Sequence, residues 1–211
     1  MMTIDSITVG MVQTNCYFVT DTTTKETLII DPGAEEERIL DYLKKNELKP
    51  CAILLTHGHF DHIMAVNGLR QTLSVKVYAC EKEKALLEDA ALNCSMDIGQ
   101  PYQVVADVFC RDGEELKAAG FSVKVIQTPG HTAGSCCYHV AAEEGQEALF
   151  SGDTVFMESV GRCDLPTGNS RKIMDSLKKL LAMEPDLLVY PGHGPKTSIG
   201  YEQKNNPYAG W

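Results

Sequence analysis

The chain has little positive charge to offer. Its 19 Lys and Arg stand against 29 Asp and Glu, giving a formal net charge of −10, and no Lys/Arg-rich run occurs. That balance repels a phosphate backbone, so nucleic acid is not the expected partner. No apolar run approaches the length of a bilayer span, and no membrane association is expected. The N-terminal MMTIDSITVG lacks the basic segment followed by an apolar stretch that marks a secretory signal. No C-x-x-C pair occurs among the eight cysteines, which removes zinc-ribbon and thioredoxin-type motifs. Cysteines so scattered through 211 residues read as reduced, mostly buried thiols of a cytoplasmic protein. No low-complexity linker or short repeat divides the sequence, and one domain over residues 1–211 is expected.

What is present alternates between two periods. NCYFVTD and ETLIID read as a hairpin around TTTK, closing at Asp31-Pro32-Gly33. AEEERILDYLKKNEL has helical spacing, with acids in its first turn. CAILL is a short, wholly apolar run and reads as a buried strand. IMAVNGLRQTL reads as helix, VKVYAC as strand and EKEKALLEDAAL as a further helix, after which residues 89–101 lose periodicity and read as a surface excursion. FSVKVIQ, CCYHVA, EALFSGD and DLLVYPGHG then read as strands, with RKIMDSLKKLLAME an amphipathic helix between the last two. Strands mixed with helices in both halves predict sheets layered between helices.

Histidine is scarce, with six in the chain, yet five of them fall in three loops, each directly after an apolar strand. These are THGHFDH (His57, His59, His62), PGHTAGS (His131) and YPGHG (His193), and FSGDT puts Asp153 in the same kind of position. If the strands are neighbours, their loops build one site. Five imidazoles with Asp61 and Asp153 make seven donors. That is more than one tetrahedral zinc uses, and it fits two metals sharing a carboxylate. Gly58, Gly130, Gly152, Gly192 and Gly194 beside the donors suit tight turns and close approach. His139, inside CCYHVA, reads as an ordinary strand residue, and the cysteines as packing.

T-H-x-H-x-D-H, G-H-T-x-G-S, S-G-D-T and a terminal G-H, in that order over nearly the whole chain, resemble the metallo-β-lactamase superfamily. The resemblance implies an α/β fold, a four-layer αβ/βα sandwich of two mixed β-sheets face to face with helices outside. It implies that His57, His59 and His131 hold one metal, Asp61, His62 and His193 a second, and that Asp153 bridges. Asp31 would be a supporting residue. Zinc is the expected metal, with iron or manganese compatible with the same donors. The commonest β-lactamases of the superfamily carry a cysteine where this chain has Asp153, which argues against antibiotic hydrolysis as the native role.

Within the superfamily the chain is most similar to short bacterial glyoxalase II proteins, in DTVFMESVGRCDLPTGN and TSIGYEQKNNPY. That implies a dinuclear thioesterase cleaving S-lactoylglutathione or a related acyl thioester through a metal-bridging hydroxide, with Asp61 orienting it. Arg162 matches a substrate-binding basic position. Asp164 and Pro195 stand where full-length enzymes have tyrosines, and the 18 residues after His193 are too few for their C-terminal helical substrate domain. The alternative is a persulfide dioxygenase with one iron, whose G-R-x-D segment is matched at Gly161–Asp164. Retention of Gly192-His193-Gly194 argues against it. A metal-binding module without catalysis ranks third.

Overall fold

Strands such as ETLII and CAILL have no polar face, so they need apolar cover on both sides. The computed structural model, which describes residues 1–210, supplies it with two six-stranded sheets packed face to face. The first sheet runs in chain order: β1 (Met2–Val9), β2 (Thr14–Asp21), β3 (Glu26–Ile30), β4 (Lys49–Leu55), β5 (Lys76–Cys80) and β6 (Val108–Cys110). Its first three strands are antiparallel and β3 to β6 are parallel. The second sheet comprises β7 (Glu115–Ala118), β8 (Phe121–Gln127), β9 (Cys136–Ala141), β10 (Glu147–Gly152), β13 (Leu188–Pro191) and β14 (Thr197–Ser198). Its order is β14-β13-β10-β9-β8-β7, with β10 and β13 parallel. Between them in sequence, β11 (Val155–Phe156) and β12 (Ser159–Val160) form a small ribbon.

Three apolar clusters make the layers explicit. Tyr17, Val19, Leu28, Ile30 and Leu54 meet Phe121, Val123, Tyr138 and Phe150 between the sheets. On the far side of the first sheet, Phe18, Ile29, Ile53 and Val77 pack under α1 (Glu36–Lys45), α2 (Phe60–Ile63) and α3 (Val66–Leu73) through Ile39, Leu43, Ile63 and Leu69. On the far side of the second, Leu149 and Val189 pack under α5 (Ser170–Leu181) and α6 (Ile199–Asn205) through Leu177, Leu180 and Ile199. Consecutive residues of β2 thus serve different layers, as the two-residue period of a strand requires. The expected αβ/βα sandwich is observed.

One helix is shorter than its pattern. EKEKALLEDAAL forms only a 3₁₀ turn (Glu81–Glu83) and α4 (Lys84–Leu87). The Asp89 carboxylate accepts from the backbone of Ala91 and Leu92, turning the chain, and Asn93 then accepts from Phe60 N–H at 2.9 Å. That bond draws residues 89–101 against the loop after β4, where Asn93 and Ser95 are fully buried. Tertiary hydrogen bonding here overrides helical propensity.

Leu177 is buried where α5 packs on the outer face of the second sheet. Leu177→Ala is expected to lower unfolding stability by about 2–5 kcal/mol in chemical denaturation, leaving the metal content of the folded protein unchanged.

Candidate metal centre

Four strands end at one edge of the sandwich, and the loops that follow them carry the donors. β4 ends at Leu55 ahead of His57, His59, Asp61 and His62. β8 ends at Gln127, opposite Cys136 of β9, so PGHTAGS is the connection of a hairpin. β10 and β13 lie parallel and in register at Gly152 and Pro191, which brings out Asp153 and His193 side by side. The sheets are tied together here. Cys136 N–H donates to Thr56 O at 2.9 Å, Tyr138 Oη to Leu55 O at 2.9 Å, and Tyr17 Oη to Pro191 O at 2.6 Å. Two glycines give way to close neighbours. A Cβ on Gly192 would lie 2.2 Å from Asp153 Oδ1, and one on Gly130 2.3 Å from Ile173 N.

The seven side chains converge. His57, His59 and His131 bring one donor atom each within 4.8 Å of one another, as do Asp61, His62 and His193, and as do His57, His62 and Asp153. His59 Nδ1 is 2.8 Å and His57 Nε2 3.2 Å from His131 Nε2. Asp61 Oδ2 is 3.3 Å from His193 Nε2 and 3.5 Å from His62 Nε2. Asp153 lies between the sets: Oδ1 is 3.5 Å from His62 Nε2, and Oδ2 is 3.5 Å from His131 Nε2 and 3.4 Å from His193 Nε2.

The outer nitrogens fix which lone pairs point inward. His131 Nδ1 faces Arg162 O at 2.8 Å and His62 Nδ1 faces Asp31 Oδ2 at 3.0 Å, so each carries its proton there and turns Nε2 to the centre. Asp31 also accepts from Thr56 N–H at 2.8 Å and Thr56 Oγ1 at 2.6 Å. The nitrogens of His57, His59 and His131 converge on one point, and Asp153 Oδ1 is buried without a hydrogen-bond partner. The donors therefore fit a divalent ion, with nitrogen and carboxylate ligands of the borderline kind.

Charge divides the site. Burial, then the facing imidazoles of His62, His131 and His59, hold His57 far below the usual imidazole value. Burial, then His131, brings His59 down to about 3 against the pull of Asp61 and Asp153. His62 and His193 behave oppositely: burial disfavours their charge, but Asp61 and Asp153 outweigh it and raise them to about 9 and about 10. Burial opposes ionisation of Asp61 and Asp153 too, and the neighbouring His62 and His193 still hold both carboxyls below the ordinary carboxylate range.

Three supporting residues carry no signal in the sequence pattern. Thr14 Oγ1 donates to Asp61 Oδ2 at 3.0 Å. Asn15 Nδ2 donates to Pro191 O at 3.1 Å and Gly194 O at 2.9 Å, holding both sides of His193. Buried Glu83 accepts from Gly58 N–H and Thr132 Oγ1, both at 2.9 Å, joining the loop of His57 and His59 to that of His131. Burial raises its carboxyl to about 7 despite these donors. His139 lies elsewhere, 3.1 Å from Glu147 Oε2. Arg162 is at the rim, 62% exposed, with Nε 2.7 Å and Nη2 2.8 Å from the Asp164 carboxylate oxygens. A cavity of about 520 Å³ opens over the donors, walled by Val12, Phe60, Cys94, Phe156, Arg162 and Leu165. No helix among the described residues is long and apolar enough to cross a membrane.

A two-sheet sandwich with clustered His and Asp donors at one edge defines an α/β protein built around a divalent-metal site. The chain belongs to the metallo-β-lactamase superfamily of metal-dependent hydrolases, whose family model matches residues 9–193. It is 39% identical to the probable metallo-hydrolase YqgX of Bacillus subtilis, covering 95% of this chain and 94% of that protein. It is 33% identical to the hydroxyacylglutathione hydrolase GloC of Haemophilus influenzae, covering 98% of each. Among solved structures, the BLEG-1 B3 metallo-β-lactamase superposes with a TM-score of 0.91 at 40% identity, over 98% of this chain and 99% of that one. The di-iron-bound form of TTHA1623 superposes at 0.84 and 36% identity, over 97% and 99%.

Two measurements follow from this geometry. In the metal-free chain, His62 and His193 hold protons that an unfolded chain releases near 6.5. Raised values mean that their pairs with Asp61 and Asp153 stabilise the fold fully below about pH 6.5 and cease to do so as pH climbs through about 9 to 10. Metal uptake at pH 7 must displace those protons, so calorimetry in buffers of different ionisation enthalpy is expected to show release of about two protons per fully loaded chain. Glu83→Ala leaves the Gly58 and Thr132 donors without their acceptor, and is expected to cost about 1–3 kcal/mol of stability in denaturant titration and to weaken metal retention.

Proposed function

We propose that the protein is a dinuclear metal-dependent thioesterase of the glyoxalase II type, acting on S-lactoylglutathione or a related acyl thioester. The observation that carries this reading is the division of Asp153 between two complete donor sets. His57, His59 and His131 would hold one ion, Asp61, His62 and His193 the other, with Asp153 shared. Two divalent ions so held would supply a deprotonated water at neutral pH and Lewis acidity toward the thioester carbonyl.

The chain's own residues do the rest. Asp61 is locked by Thr14 Oγ1 and the two imidazoles on its Oδ2, and its carboxyl is held in the ionised form. It therefore acts as a fixed acceptor that orients a water, not as a proton store. Asp31 and the Arg162 carbonyl keep His62 and His131 in the tautomer that faces inward. The cavity of about 520 Å³ over the donors has room for a thioester. Outside the donors, its cationic side chain is Arg162, assigned here to a substrate carboxylate that would compete with Asp164. The name of GloC supports the glutathione thioester. The name of BLEG-1 makes a lactam amide the competing bond for the same nucleophile. The intact second donor set favours hydrolysis over one-iron persulfide oxygenation, whereas TTHA1623 keeps iron in play as the bound metal.

The test is hydrolysis of S-D-lactoylglutathione by metal-replete protein, beside simple acyl thioesters and a chromogenic cephalosporin, with metal content measured on the same sample. Two ions per chain and turnover of thioesters but not of the cephalosporin are expected. A single iron with sulfide-dependent oxygen uptake would replace this reading. Asp153→Asn is expected to lose one ion and to reduce kcat/KM by more than the roughly 10–100-fold typical of an outer-shell partner.

A further inference from the structure

The metal cavity has a neighbour. On the other side of Val12 and Phe60 lies a second cavity of about 250 Å³, walled also by Met11, Ala34, Met64 and Ile98. Asp61 borders both, so the two meet at a residue of the donor cluster. The second cavity is larger than the about 150 Å³ apolar void that accepts a benzene-sized guest. Of the charged residues on its wall, Asp61 belongs to the donor cluster, and Glu35 is already engaged, Oε1 accepting Gly10 N–H at 2.8 Å and Oε2 pairing with Arg38 at 2.6 Å. What it offers a ligand is mainly apolar surface, with the Gln100 amide beside it. At its mouth Met11 and Val12 stand 73% and 44% exposed, as large apolar side chains that a ligand would cover.

The two arms of a thioester differ in kind. Carrier thiols of metabolism are polar and charged, while acyl groups range from small and polar to long and apolar. The metal cavity, with Arg162 at its rim, suits the thiol arm, and the apolar cavity beyond Asp61 suits the acyl arm. We propose that this second cavity is the acyl-chain subsite of the metal centre, and that it selects thioesters of apolar chains of about six carbons over acetyl or lactoyl. The proposal rests on the thioesterase reading above and adds the substrate's acyl class to it.

The experiment is a chain-length series on metal-loaded protein, from acetyl to octanoyl thioesters of one small neutral thiol. Titration calorimetry of the product acids acetate and hexanoate accompanies it. The expected result is a kcat/KM at least about tenfold higher for hexanoyl than for acetyl, and a matching preference for hexanoate in binding. Ala34→Leu, which fills the cavity, is expected to abolish the hexanoyl-to-acetyl ratio. Ile98→Ala, which enlarges it, is expected to move the optimum to longer chains. Thioester turnover with a flat chain-length profile would overturn the subsite and leave the hydrolase reading intact. Absence of any thioester turnover would overturn the hydrolase reading, and equal binding of the two acids would then overturn the subsite independently. A dimer in sedimentation that buries Met11 and Val12, with no chain-length preference, would assign this face to a second copy instead.

Discussion

Everything at the metal edge depends on hydrogen bonds that cross from one sheet to the other. Face-to-face sheets are held mainly by apolar contact, which fixes their separation better than their sliding. At this edge the end of β4 is bonded to the start of β9 through Thr56 O and Cys136 N–H, and Asn15 N–H of β2 donates to Gly192 O at 2.8 Å after β13. Tyr17 and Tyr138 reach across from within the core to the same strand ends. The loops can therefore be short and the donors mutually placed. Asp31 shows how far this extends: held at φ 51°, it joins the turn after β3 to Thr56 and to His62 with one carboxylate.

The two donor sets are not electrostatically equivalent. His57, His59 and His131 form an all-imidazole set, in which burial and mutual repulsion depress the first two strongly. The other set holds Asp61, whose charge, with that of Asp153, keeps His62 and His193 protonated in the absence of a metal. A cation entering the first set meets ready lone pairs, while one entering the second must displace protons but gains a carboxylate of its own. Harder ions favour the carboxylate-bearing set, since oxygen ligands suit them better than imidazole does. Asp153 is the carboxylate both sets face, one oxygen toward His62 and the other toward His131 and His193.

Much of this was legible in the sequence because strand ends are legible. CAILL, FSVKVIQ, EALFSG and DLLVYP are short apolar or alternating runs, and each stops at a donor motif, so convergence of the donors needed only that the strands be neighbours. The superfamily motifs then assigned the donors to sets. What stayed hidden acts through non-local hydrogen bonds. Thr14 and Asn15 sit in an ordinary strand, and Glu83 lies in a run of acids and lysines that resembles a solvated helix. Their partners are 25 to 179 residues away, a distance that no local pattern reports. The overextended helix after Glu81 failed for the same reason, since Asn93 and Phe60 are brought together by the fold alone.

Donors and most of the walls have separate origins in the chain, and that separation decides how such a site can change. The donors come from strand ends fixed by the cross-sheet bonds, so altering one disturbs metal, tautomers and buried charge together. Apart from Phe60 and Met64, which belong to the donor loop and its continuation, the walls come from other segments: residues 10–12, 33–35, 94–100 and 156–165. Arg162 joins the two groups, because its carbonyl orients His131 while the residue lines the cavity rim and its guanidinium pairs with Asp164. A substitution of its side chain leaves the carbonyl in place, so the rim can be altered without moving a donor. In this architecture the buried edge fixes the donors, and the segments around it shape the space from which they are reached.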